Sequence, residues 1–400
     1  MKIVVLYQYF GGYDGAWSSR WLEFGRRWAG EGHHVTVITG RYYKCDMPEG
    51  GDLVVEGIHV RVLPVELTNK EKKAKRLIAF LNLMIRATGM LLLTDADIVV
   101  ASSGPLTMAV PAMFKNLFGR TPYVFETRDL WPDTAIATGH LQGSVPRFLA
   151  RWLERAAYAG ARHVIALSPA MRDAITRRSA TPVTVIPNAC DVSFWSRPVL
   201  AAERAEIEAV VGTDTPFFVY AGNVGPTNAH EKIIEAARML HEQGRTDIRI
   251  VVIGDGAGSA QVEEASRQFP NLVAMGLRPK KDVVPWLALA RGSLITFESS
   301  GVMNAASPNK FFDSLAAGTP VIQNTTGWLA DLVSHEDLGL NVAPDSGEGL
   351  AQAMITLTDD DERVARNRGN AQRLAKRFDR DLLSGQYLGV LREVVDATGP

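Results

Sequence analysis

The sequence predicts an α/β protein made of two doubly wound, parallel-sheet domains in tandem. Three observations predict it. Short β-branched apolar runs alternate with helical stretches almost throughout. That pattern breaks and starts afresh near residue 190. The chain of 400 residues is too long for one ordinary core and suits two of about 150–200 residues each. Hydrophobic content of 46% with 22% charged residues is that of a globular protein. A formal net charge of −1 removes the electrostatic case for a nucleic-acid binder. Cys45 and Cys190 are the only cysteines, one in each half, which argues against a disulfide framework or cysteine zinc site and fits a reducing cytosol.

The elements follow in order. "MKIVVLYQYF" lacks the longer apolar core and small-residue cleavage site of a signal peptide and reads as a buried first strand. "SSRWLEFGRRWAGEG" is a helix, and "HHVTVITG", "ADIVVASS", "PYVFETRD", "HVIALSP" and "VTVIPNA" continue the strands. Periodicity breaks over 187–197 in "PNACDVSFWSRP", so the domains are read as 1–190 and 191–377. The second half opens with the strand and turn "FFVYAGNVG", then the amphipathic helix "AHEKIIEAARMLHEQG" ending at Gly244. The strands "IRIVVIGDG", "NLVAMGL", "GSLITFES" and "PVIQNT" complete it, and "DRDLLSGQYLGVLREVV" is a last helix with no strand after it.

One stretch stands apart. "NKEKKAKRLIAFLNLMIRATGMLLL", residues 69–93, opens on Lys70, Lys72, Lys73, Lys75 and Arg76 and then runs almost wholly apolar. No stretch reaches the ~18–20 apolar residues that span a bilayer. A basic flank on such a helix suits a surface resting on anionic lipid. The alternative is a core helix with a solvated basic start.

In doubly wound sheets ligands bind beyond the carboxyl ends of the strands. The first turn, "YFGGYDGAWSSR", holds Gly11, Gly12 and Gly15, which would let backbone N–H groups approach a phosphate, or else serve a tight turn. Its spacing is not the dinucleotide fingerprint. "VIGDGAGSAQ" offers Gly254, Gly256 and Gly258 in the middle of the second domain, which argues against a nicotinamide cofactor. "YVFETRDLWPD" sets Glu126, Arg128 and Asp129 just past a strand, either as a turn-stabilising ion pair or to position a sugar hydroxyl and steady developing charge. "AGNVGPTNAHEK" supplies Gly222, Asn223, Gly225 and Asn228 before a helix, an anion-tolerant turn with neutral side chains.

The most informative stretch is "SPNKFFDSLAAGTPVI", residues 307–322. Pro308 near the start and Gly318 past the end describe a short capped helix feeding a strand. Lys310 near its N-terminus can hold a diphosphate by charge and dipole together. Asp313, one turn on, can accept hydrogen bonds from ribose hydroxyls. The alternative is an (i, i+3) surface pair.

Taken with "GEGHHVTVITG", "ETRDLWPD", "ALSPAM", "VIPNACDVSFW", "YAGNVG" and "VVIGDG", in this order and nearly end to end, the chain resembles the retaining, two-domain glycosyltransferases of the bacterial GT4 family. It is most similar to the branch with the fucosamine transferases of O-antigen and capsule assembly. The resemblance implies two Rossmann-like domains in the GT-B arrangement, with the last helix, 378–400, packed back on the first. It implies that the rear domain holds the nucleotide sugar through Asn223, Gly225, Gly254, Gly256, Arg278, Asn309 and Asp313, with Gly11 and Gly12 of the first domain reaching the diphosphate. Lys310, Glu126 and Asp129 then do the chemistry, with Arg128, Ser18 and Arg20 on the acceptor side. No metal or other cofactor is expected, UDP is the favoured nucleotide, and the sugar is an N-acetylated hexosamine or deoxyhexosamine. A polyprenyl-linked acceptor at the cytoplasmic face of the membrane would employ Lys72, Lys73, Lys75 and Arg76.

The sequence departs from the pattern that the resemblance implies at four positions. Asn223 and Asn228 stand where the family has an arginine and a lysine, Ala305 stands where its first acid falls, and Arg128 replaces a common histidine. Lys310 would restore the missing positive charge. Two rivals remain open: a sugar-nucleotide 2-epimerase, which needs clustered acids and histidines, and a catalytically silent partner of a related transferase.

Overall fold

The computed structural model describes residues 1–11, 20–42, 47–67, 73–137, 139 and 141–398. The chain forms two compact units, one of residues 1–187 with 380–400 and one of 188–379.

Unit 1 runs β1 (Lys2–Leu6), α1 (Arg20–Gly30), β2 (His34–Tyr42), β3 (Gly51–Val55), β4 (Ile58–Leu67), α2 (Lys73–Leu92), β5 (Ile98–Ser102), α3 (Ala109–Gly119), β6 (Tyr123–Thr127), α4 (Asp133–Ala137), α5 (Ser144–Gly160), β7 (His163–Ala166), α6 (Pro169–Thr176) and β8 (Val183–Val185). Its sheet has the order β3-β4-β2-β1-β5-β6-β7-β8. β1 lies at the centre, with Ile3 opposite Val35 on one side and Ile98 on the other. Its apolar run is buried on both faces, which is why no polar alternation marks it.

The sequence pattern 51–67 holds a feature that a purely parallel reading passes over. β3 pairs antiparallel with β4. Two residues join them, Glu56 at φ 51° and Gly57 at φ 81°, the left-handed pair that a tight hairpin requires. All other pairings of the sheet are parallel. Strand order reverses direction between β1 and β5, so right-handed crossovers put α1 on one face and α2, α3, α5 and α6 on the other.

Unit 2 runs α7 (Val192–Trp195), α8 (Ala201–Val211), β9 (Phe217–Ala221), α9 (His230–Glu242), β10 (Arg249–Ile253), α10 (Ser259–Gln268), β11 (Leu272–Gly276), α11 (Lys280–Leu289), β12 (Gly292–Ile295), α12 (Asn309–Ala316), β13 (Val321–Gln323), α13 (Trp328–His335), β14 (Gly339–Asn341), α14 (Gly347–Asp359) and α15 (Asp361–Ala375). Its all-parallel sheet has the order β11-β10-β9-β12-β13-β14, reversing between β9 and β12. Ile233, Ala236, Ala237 and Leu240 of α9 recur at helical spacing and enter the core formed with Phe218, Ile250 and Leu294.

The last helix, α16 (Arg380–Ala397), belongs to unit 1. It packs on α1: the Trp28 indole N–H donates to the Ser384 carbonyl at 3.1 Å, and the Tyr387 ring lies 5.6 Å from those of Trp21 and Trp28. The buried Glu23 carboxylate receives Arg380 at 3.0 Å and Arg27 at 2.6 Å. Among the described residues no helix is long and apolar enough to cross a membrane.

Candidate active site

Unit 2 has its switch point between β9 and β12, and α12 begins there. Pro308 precedes its first turn in an extended conformation, and Gly318 lies past its end at φ 70°. Lys310 turns inward rather than along the helix surface. Its ammonium donates to Asn228 Oδ1 at 3.0 Å, the Thr296 carbonyl at 3.2 Å and the Tyr220 hydroxyl at 3.4 Å. It also sits 4.5 Å from the ring centres of both Tyr220 and Phe297. Every one of these partners is neutral. With no carboxylate to offset it, burial pulls the pKa of Lys310 down to about 7.

Asp313 shares the helix but not this company. Its carboxylate is nearly buried and lies 3.7 Å from Lys280 at the start of α11, whose ammonium sits 5.1 Å over the Trp195 ring. The (i, i+3) surface pair is thus corrected: each residue of that pair has found a partner elsewhere in unit 2. Lys280, Tyr220 and Phe297 were not signalled by the sequence, because nothing local sets them apart from core or surface residues.

The glycines of the second unit have a structural requirement. A side chain on Gly254 would put Cβ 1.8 Å from the Gly222 carbonyl oxygen, and one on Gly256 would put it 2.1 Å from that of Val224. These turns lie backbone on backbone, fastened by Gly222 N–H to the Ile253 carbonyl at 2.9 Å and Val224 N–H to Asp255 at 3.2 Å. Asn223 is exposed beside Gly225, and its carbonyl accepts the Tyr220 hydroxyl at 2.6 Å. Asn309 opens α12. Arg278 is exposed just past the edge strand β11, with no partner among the described residues.

In unit 1 the switch point lies between β1 and β5. Glu126, at the end of β6, is fully buried there. It accepts Arg20 at 3.1 Å, the Ser102 hydroxyl at 2.9 Å and Arg128 at 3.4 Å. Arg20, also buried, spends its other donors on the carbonyls of Pro187 at 2.7 Å and Ile186 at 3.1 Å. The expectation that Glu126 faces reacting sugars, and that Arg20 faces an acceptor, is therefore corrected. Both are saturated inside the unit, where a buried charge requires pairing. What they hold in place is Arg128, mostly buried, 5.3 Å over the Tyr7 ring, with its backbone N–H bonded to Ser103 at 3.0 Å. Asp129 stands exposed next to it. Gly11 is buried at the end of the described β1 turn, whereas Gly12, Gly15, Ser18, Cys45, Lys70 and Lys72 lie outside the described residues. Lys73 opens α2, and Lys75 is exposed with Arg76 partly so.

Comparison with known proteins gives the frame for these sites. A family model described as "Glycosyl transferase 4-like domain" matches residues 15–189, and one described as "Glycosyl transferases group 1" matches residues 215–360. The chain belongs to the GT4-like glycosyltransferases. Among relatives of this GT4-like enzyme, the alpha-D-kanosaminyltransferase of Streptomyces kanamyceticus is 24% identical over 62% of this chain and 64% of its own length. The D-inositol 3-phosphate glycosyltransferase of Corynebacterium glutamicum is 24% identical over 84% of this chain and 82% of its own. In structure it is similar to Anabaena HepE, solved in complex with UDP, with a TM-score of 0.72 at 18% identity over 98% of this chain and 100% of that one. In this GT4-like chain the Lys310 ammonium reaches the Asn228 side chain from another element.

Proposed function

We propose that this protein transfers a sugar, with retention at the anomeric carbon, from a nucleoside diphosphate to a hydroxyl of a lipid-linked saccharide in surface-polysaccharide synthesis. One observation carries the donor half. Lys310 is a half-buried cation at the switch point of the second sheet, ringed only by neutral acceptors, and so lacks an anion that a diphosphate would supply. UDP is the nucleotide of choice, in keeping with the UDP bound to HepE. An N-acetylated amino sugar or its deoxy form fits the fucosamine-branch resemblance, and the kanosaminyltransferase among the relatives is consistent with it.

In this reading the bond from the anomeric carbon to the diphosphate oxygen breaks first, its electron pair leaving with the phosphate and an oxocarbenium-like sugar remaining. The acceptor hydroxyl adds from the same face, and its proton goes to the departing phosphate oxygen. Lys310 and the N-terminus of α12 neutralise the leaving charge, so the reading calls for no metal. Asp313 accepts the ribose hydroxyls, while Asp129 and Arg128 orient the sugars, with Glu126 and Arg20 positioning Arg128 from behind. Catalysis is then mainly orientation and charge stabilisation.

The test has two parts. UDP, GDP and dTDP are screened by thermal shift, and donor turnover is measured for wild type and Lys310→Ala. UDP should raise the melting temperature, and the variant should lose about 10²–10³-fold in turnover. A variant as fast as wild type would remove Lys310 from the mechanism. Ala305 in place of an acid favours a second reading, the silent partner, and absence of both transfer and donor hydrolysis by the isolated chain would select it.

A further inference from the structure

The helix layer α2–α3–α5 on one face of the first sheet carries an apolar surface that nothing else among the described residues of unit 1 covers. α2 packs on α3 and α3 on α5. Ile78 and Ile85 of α2, Phe118 of α3, and Phe148 and Trp152 of α5 are each between 60% and 69% exposed. All of Ser144–Leu149, the first turns of α5, are exposed. Most of the large apolar side chains that stand exposed among the described residues fall on these three helices or at their ends. An outward helix face in water is normally polar, so a surface of this kind marks a place of contact.

Charge selects the contact. α2 and α3 contain no aspartate or glutamate. The one acid of α5, Glu154, is buried and bonded to Arg178 at 2.7 Å. Lys75, Arg86, Arg147, Arg151 and Arg155 are all exposed on the same layer. In a chain of net charge −1 this is a local concentration of positive charge around isoleucine, phenylalanine and tryptophan. A second copy is a poor occupant, because a twofold contact would set this basic face against itself. Nucleic acid would leave the aliphatic side chains without partners.

We propose that this face docks on an anionic phospholipid bilayer, with Phe148 and Trp152 entering the headgroup boundary and the surrounding arginines and Lys75 meeting lipid phosphates. The sequence alone points to residues 69–93, a basic flank and its apolar helix; the structure adds α3 and α5 and moves the apolar anchor to α5. The placement suits the reading above, on which it rests for its purpose. α2, α3 and α5 all start at the carboxyl end of the sheet, the end at which Asp129 stands exposed just past β6. A lipid-anchored acceptor would thus arrive beside Asp129.

The full chain is sedimented with vesicles of phosphatidylcholine alone and of equimolar phosphatidylcholine and phosphatidylglycerol. Wild type should bind the anionic vesicles at least about tenfold more tightly, and Phe148→Ser with Trp152→Ser, or Arg147→Glu with Arg151→Glu, should each remove about tenfold or more of that binding. The UDP thermal shift should be unchanged on the same samples, and the melting transition of unit 1, the one that UDP leaves in place, reports that the variants are folded. Equal binding to both vesicles, or variants that bind like wild type, would overturn the proposal. So would a concentration-dependent dimer that the same substitutions abolish, which would make the face a contact between copies. Vesicle binding without any UDP shift would sink the donor reading and leave the docking face standing.

Discussion

In the proposed mechanism a single nitrogen, the ammonium of Lys310, concentrates most of the chemistry. Its spacing from Asp313 was plain in the sequence, but the meaning of that spacing was not. Its acceptor Asn228 is 82 residues away in the chain, and Asp313 faces Lys280 instead, so both relations depend on tertiary structure. Glu126 teaches the converse. Three charges at a strand end looked like an active-site edge, yet only exposure could tell that one of them is a buried anchor. Lys310 also gives a pH dependence whose sign can be worked out. Its folded pKa is depressed to about 7, so below that value the ammonium is charged and ready for a diphosphate. As pH rises above about 7 the empty site loses the proton, and a bound diphosphate must draw it back. UDP affinity should therefore fall with rising pH above 7, with proton uptake seen as a dependence of calorimetric heat on the buffer's ionisation enthalpy. The unfolded lysine keeps its proton to about 10.4, so the unfolded state binds more protons between the two values and stability rises with pH across that window. Lys310→Met should abolish both effects, and uptake that survives in this variant would assign it to another group.

Elements were legible wherever periodicity extends over a whole helix or strand. α9 with Gly244 beyond it and the apolar β1 are examples. The β3–β4 hairpin was passed over because its turn is Glu-Gly, without the usual asparagine or aspartate ahead of the glycine, and because an edge strand lacks the apolar run of its parallel neighbours. The glycine-rich turn after β10 was legible as a turn but not in its cause. Gly254 sits at φ 152°, and its missing side chain leaves room for the Gly222 carbonyl of the neighbouring turn. Gly254→Ala would force the two turns apart and pull at the strand end that carries Asn223 and Asn228. It should cost about 1–3 kcal/mol, the usual range for forcing a group into packed structure, read as a lowered urea midpoint. The same substitution at Gly244, which meets nothing within 4 Å but lies at φ 75°, should cost less. Equal losses at both would mean that backbone conformation, and not close approach, decides the glycine.

At the scale of the molecule, length and a restarted strand–helix pattern were enough to foresee two sheets, because each unit must bury its own core. Net charge was less informative. A total of −1 averages over the surface and conceals the basic layer of α2, α3 and α5, which becomes visible only when helices far apart in sequence lie side by side. Each unit also has its own switch point, and the donor-binding residues proposed here, Lys310 and Asp313, both belong to unit 2. Heating should therefore give a melting profile that a single two-state transition fails to fit, as is common for chains of two cores. On the proposed reading, saturating UDP would bind the native form of one unit only and stabilise that form by about 2.7 kcal/mol at a hundred times Kd. In differential scanning calorimetry one transition should move up and the other stay where it was, with Lys310→Ala cancelling the movement. The moving transition is assignable with Gly254→Ala, which should lower that same one. If UDP instead raised only the transition that Gly254→Ala leaves alone, the nucleotide would be held by unit 1, and the role given to Lys310 and Asp313 would fall with it.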